Sequence, residues 1–198
     1  MLNLSTKNFG KLIILGGVYT ICSCASFSKK GFRKIVVPLS TENKSMYDGK
    51  YQLHSKKELS ALNKTSSTQI DTSITVNVVN LLTNQNKLDS AVNNTSILYI
   101  NFTSRTIINL KVEMNNIKII DTLLQGKFKN GMFYLNNNFL KCNGIPFILG
   151  GCQNNKRRIG FTKMGNLLVN EAVSNEGAFL LLFGSGYSYN VTYEFKKL

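Results

Sequence analysis

The chain has 198 residues, 24 Lys and Arg against 10 Asp and Glu, a formal charge of +14 and a single histidine. That length suits one domain with a sizeable core, and the basic excess means either attraction to polyanions or a solvated surface with no specific partner. One histidine with no nucleophile motif to partner it makes neither a metal site nor a catalytic triad.

At the N-terminus, Lys7 and Lys11 precede an apolar run from Leu12 to Ile21, and Cys22-Ser23-Cys24 follows. A basic start, a short apolar stretch and a small residue ahead of a cysteine describe an export signal. About ten apolar residues are too few to cross a hydrocarbon layer of roughly 30 Å. The tetrapeptide Ile21-Cys22-Ser23-Cys24 resembles the lipobox of bacterial lipoproteins. The resemblance implies a signal peptide over residues 1–23 and acylation of Cys24, with several acyl chains holding the mature protein on a membrane.

Residues 24–46 carry Lys29, Lys30, Arg33, Lys34 and Lys44 against the single acid Glu42, with no long apolar run. They read as a basic tether, drawn to an anionic leaflet by about 1 kcal/mol per cation or serving as a solvated spacer. In Bacteroidota lipoproteins an acidic cluster after the cysteine accompanies surface display. Its absence here implies, by that resemblance, an outer-membrane location facing the periplasm.

Residues 47–198 are expected to form one β-rich domain. A first strand is placed at Gly49–Leu53, entered by the turn-forming Asp48-Gly49. Lys56–Leu62 suits one or two helical turns, and Ile74–Leu82 suits either a short helix or a strand, since short apolar runs do not separate the two. Over Thr106–Met114, Ile108, Leu110, Val112 and Met114 alternate with Ile107, Asn109, Lys111 and Glu113, the period of a half-buried strand.

Asn130-Gly131 marks a two-residue type I′ hairpin, whose central residues both need positive φ. Counting outward pairs Lys129 with Met132, Phe128 with Phe133, Lys127 with Tyr134 and Gly126 with Leu135. Leu124, Phe128, Phe133 and Leu135 then share one face, and Lys127 and Lys129 the other. Further strands are expected at Ile145–Leu149, Arg158–Lys163, Leu167–Val169, Ala178–Phe183 and Tyr189–Lys196. In the last, Tyr189, Val191, Tyr193 and Phe195 point inward and Asn190, Thr192, Glu194 and Lys196 outward. Gly150-Gly151, Asn154-Asn155, Gly165-Asn166 and the glycines around Ser185 read as turns. The fold class is therefore all-β, mainly an antiparallel meander closed into a small barrel or sandwich, with one or two short helices. The Tyr47–Tyr51 opening and the succession of hairpins look like a lipocalin-type barrel.

Cys142 and Cys152 are the two cysteines that follow the anchor, and an exported pair this close is a disulfide candidate. The run Lys156-Arg157-Arg158, beside a turn expected at Asn154-Asn155, is the candidate contact for an anionic headgroup or glycan, because arginine pairs bidentately with phosphate and carboxylate. No nucleophile motif accompanies His54, no phosphate-cradling loop surrounds Gly184-Ser185-Gly186, and no cofactor is implied. The ten acids are scattered, though two of them brought together from distant strands would suffice for a glycosidase.

Lys127-Phe128-Lys129-Asn130-Gly131, Arg158-Ile159-Gly160 and Gly165-Asn166-Leu167-Leu168-Val169 resemble the C-terminal part of uncharacterised Bacteroidota envelope lipoproteins, a resemblance that implies no particular activity. The expectation is a lipid-anchored envelope lipoprotein with a non-enzymatic binding or structural domain, its partners being the membrane and an anionic or apolar ligand rather than nucleic acid. The alternative is an envelope glycan hydrolase.

Overall fold

The computed structural model describes residues 25–27, 32–40, 42–55, 57–58, 76–83, 96–145, 149–179 and 183–198. The expected signal peptide and Cys24 lie outside the described residues. Ten strands are present among those described: β1 (Gly49–Gln52), β2 (Lys57–Glu58), β3 (Ile97–Phe102), β4 (Ile107–Met114), β5 (Ile117–Lys129), β6 (Met132–Leu135), β7 (Phe139–Ile145), β8 (Leu149–Phe161), β9 (Leu167–Phe179) and β10 (Phe183–Phe195). Two short α-helices, α1 (Phe32–Ile35) and α2 (Val78–Thr83), and a 3-10 turn at Lys44–Tyr47 complete them.

The fold is all-β and antiparallel, with strands in the order β1-β3-β4-β5-β6-β8-β9-β10-β2, and β7 beside β8. This path of regular strands is open, but the chain after β10 brings its ends together. Gln52 N–H donates to Lys196 O at 2.9 Å and Leu198 N–H donates to Lys50 O at 2.9 Å, flanking a bridge between Tyr51 and Lys197. Pairing the first strand in this way removes an edge that would otherwise invite other chains. Lys57 and Glu58, expected in a helical turn, instead pair with Glu194 and Tyr193. The rest of Lys56–Leu62 lies outside the described residues.

The alternation in β4 holds: Ile108, Leu110 and Val112 are fully buried. The hairpin at Asn130-Gly131 has φ of 53° and 72°, and its four pairs fall in the expected register. A second turn of this kind, Asn115-Asn116 with φ of 53° and 63°, joins β4 to β5 and is absent from the sequence reading. Inside the curved sheet, Phe102 lies 5.8 Å from Phe133 and 6.2 Å from Phe161, while Val78, Val79 and Leu82 of α2 add to the same core.

Two expectations about turns and termini need correction. Gly150-Gly151, Asn154-Asn155 and the glycines around Ser185 lie within β8 and β10, not in turns; of the strands expected at Ile145–Leu149 and Ala178–Phe183, Ile145, Leu149, Ala178, Phe179 and Phe183 are strand residues, and 146–148 and 180–182 lie outside the described residues. Gly165-Asn166 does turn, with Gly165 at φ 81° and its N–H bonded to Thr162 O at 3.0 Å. The segment read as a tether is packed where it is described. Phe32 and Leu39 are buried, Val37 bridges Phe161, and Leu39 N–H donates to Gly131 O at 2.8 Å. Its side chains have apolar surface to bury: Leu39 and Val37 join the main core, while Phe32 and Val36 pack on the outer face with Met132 and Leu168.

Candidate functional site

Arg157 and Arg158 are adjacent in β8, so their side chains leave opposite faces of the sheet. Both are buried, at 3% and 1% exposure, which corrects the reading of Lys156-Arg157-Arg158 as a solvent-facing anionic contact. The run is in mid-strand rather than beside a turn, and cross-strand neighbours accept from Nε of each guanidinium while Arg157 Nη1 is left without a hydrogen bond. Lys156 is half-buried beside them.

On the outer face, Arg158 pairs across the strands with Asn170, to whose Oδ1 its Nε donates at 2.8 Å. Nη1 donates to Tyr134 Oη at 3.3 Å. Its guanidinium carbon lies 4.5 Å from the Phe27 ring centroid and 4.6 Å from that of Phe32. Rings supply attraction without requiring the cation to be hydrated, at about 0.5 to 2 kcal/mol per contact. Burial lowers the Arg158 pKa from its usual value, and the bond to Tyr134 acts against that shift. Phe32, Met132 and Leu168 form a small second core here, edged by Val36 and Tyr134. The N-terminal segment is thus a strap over β6, β8 and β9, with Arg158 beneath it. Ser26 O accepts from Asn190 Nδ2 on β10 at 2.9 Å. Asn190 and Thr192, expected to face solvent, are consequently buried.

On the inner face, Arg157 lies opposite Glu171 and Nε donates to its Oε1 at 3.1 Å, while Asn155 Nδ2 donates to the same oxygen at 2.7 Å. Glu171 is the one buried carboxylate among the described residues. Beyond this row the strands run on as a four-stranded extension, β7-β8-β9-β10. Its inner face carries the row Phe139, Asn155, Val173 and Tyr189, then the row Lys141, Gln153, Asn175 and Tyr187. Tyr187 and Tyr189 are 54% and 38% exposed, although Tyr189 was expected to point into the core. Their rings are parallel within 9° with centroids 6.0 Å apart, and Asn175 Nδ2 donates to Tyr187 Oη at 3.3 Å. Burial, with Glu171 close by, raises the Tyr189 pKa above the ordinary phenol value.

Cys142 and Cys152 are directly paired across β7 and β8 and joined by a disulfide, their Cα atoms 4.1 Å apart. They tie the extension on its outer face. His54 is half-buried and forms a backbone bridge with Asn77. Among the described residues no group of three His, Cys, Asp or Glu is placed to hold a metal ion. None of their helices is long and apolar enough to cross a membrane. The sequence reading missed the tyrosine row and the strap's aromatic contacts. The only available signal for the former was the Tyr187-Ser188-Tyr189 spacing, which equally suits a core-facing strand.

Comparison of the chain with protein-family models, with curated proteins and with solved structures finds no match.

Proposed function

We propose that the protein is a lipid-anchored envelope lipoprotein whose β domain binds or scaffolds rather than catalyses. The single observation that carries the reading forward is the position of Ala25, 3% exposed, followed by Ser26 bonded to Asn190 on β10. The Cα of residue 24 is one peptide step, about 3.8 Å, from that of Ala25. An acyl group on Cys24 would therefore hold the wall of the domain close to the bilayer, with little slack between lipid and fold.

Two features support a binding role over hydrolysis. The buried Glu171 is ion-paired with Arg157 and hydrogen-bonded by Asn155, and it is the one buried carboxylate among the described residues, whereas a glycosidase needs a second facing the first. Aromatic side chains in mutual contact occupy the interior, which favours a ligand on the surface over an apolar one inside. The test is the membrane fraction of cells fed labelled fatty acid. Label should appear on the wild-type chain and be lost in Cys24→Ala; equal labelling of the two would overturn the anchor.

A further inference from the structure

We infer that the inner face of the extension, centred on Tyr187 and Tyr189, is a binding site for an anionic glycan. The inference goes beyond the anchored-lipoprotein reading, on which only the preference for a glycan over a bilayer partly rests. Two exposed parallel rings offer packing for the C–H faces of sugar rings, which need apolar contact without a deep pocket. Gln153 and Asn175 stand in the same row as Tyr187, and side-chain amides both donate to and accept from hydroxyl and acetamido groups.

The charge pattern selects the class of glycan. Exposed Lys141 ends the row, and the one carboxylate on this face among the described residues, Glu171, is neutralised by Arg157. An acidic substituent would meet a cation there and no uncompensated acid. A bilayer is the poorer partner, because the strap that leads to residue 24 crosses the opposite face of the same strands, at Asn190 and Arg158. Inserting this face into lipid would also strip water from its amides.

The test uses the full chain carrying Cys24→Ala, with a hyaluronan hexasaccharide as acidic probe, a chitohexaose as neutral probe and anionic phosphatidylglycerol vesicles as the lipid probe. Titration by saturation-transfer NMR should show sugar protons touching tyrosine rings for the acidic hexamer. Tyr187→Ala with Tyr189→Ala should weaken binding at least about tenfold. Tyr187→Phe with Tyr189→Phe, which keeps the rings, should retain most of it. Lys141→Ala should weaken the acidic hexamer selectively, and added salt should do the same. Backbone amide spectra of each variant report whether the extension remains folded. Absent binding of the acidic hexamer, or equal binding by the folded double-Ala variant, overturns the site. Equal affinity for the neutral hexamer overturns the anionic class, and tyrosine-dependent binding to the vesicles alone overturns the glycan in favour of lipid.

Discussion

The guanidinium carbon of Arg158 lies 4.5 Å from the centroid of Phe27, a residue 131 positions earlier in a segment whose basic composition reads as solvated linker. Removing the guanidinium should loosen the strap as well as cost stability. Arg158→Ala leaves Asn170 and Tyr134 without a charged partner and empties a buried volume, so it should cost about 2 to 4 kcal/mol. Arg158→Lys should recover little of that, because an ammonium lacks the planar fork and sheds water less readily. Denaturant melts measure the loss, and limited proteolysis between residues 25 and 40 should quicken in both variants. Unchanged cleavage there would show that the strap is held by something other than this contact.

The Arg157–Glu171 pair calls for a double-mutant cycle. Arg157→Met alone leaves a buried carboxylate bonded by Asn155 but without its cation, and Glu171→Leu alone leaves a buried cation without its carboxylate. Each should cost about 3 to 5 kcal/mol, while the double variant Arg157→Met with Glu171→Leu should cost much less than their sum. Strict additivity in urea melts would mean the two side chains do not act as a pair.

Gly131 has both a special conformation and a neighbour. Its φ is 72°, and a Cβ there would fall 2.9 Å from Pro38 Cα on the strap. Gly131→Ala should therefore cost about 2 kcal/mol, combining left-handed strain with displacement of the strap. Asn130→Ala should cost less, since it lacks the steric part. Comparable losses for the two in thermal melts would contradict the contact with Pro38.

The hairpin was legible because two independent signals coincide there: Asn130-Gly131 fixes the turn, and the apolar alternation of Leu124, Phe128, Phe133 and Leu135 fixes the register. Strand β4 was legible because one of its faces is core and the other is polar. The extension was not. Along β10 residues 185 to 189 are all exposed, and in β8 and β9 the buried neighbours of Gln153 and Asn175 are the polar Asn154 and Ser174, so no apolar alternation exists to be read, and the glycines look like turns. Arg157 and Arg158 misled for a different reason. Sequence shows a charge but not Glu171 or Phe27, which the fold brings to it from 14 and 131 residues away. The candidate surface lay on the same strands, but its aromatic half was assigned to the core.

Reduction of Cys142–Cys152 should weaken the extension far more than the rest of the sheet. The two cysteines are separated by 10 residues, a loop whose closure contributes about 2 to 3 kcal/mol in the chain-entropy model. That stabilisation belongs to the hairpin of β7 and β8, so amide exchange should quicken there and in the outer half of β9, with β3 to β5 unchanged. Faster exchange throughout would mean the extension and the rest of the sheet unfold as one unit.

Alkaline pH should unfold the protein through a buried phenol. Tyr51 is fully buried with its hydroxyl donating to Tyr47 O at 2.6 Å, and desolvation, aided by the Asp48 charge, holds its pKa far above the usual 10.0. A folded-state pKa above the unfolded value leaves stability intact below pH 10. It is lost as pH rises from there toward the folded pKa, since the unfolded chain releases the proton first. One such group lowers stability by about 1.4 kcal/mol for each pH unit in that window. Phenolate absorbance followed together with circular dichroism should show a late tyrosine fraction ionising only as the β signal collapses. Tyr51→Phe should flatten this alkaline decline while also losing the bond to Tyr47. Complete tyrosine ionisation with the β signal intact would contradict the buried environment of Tyr51.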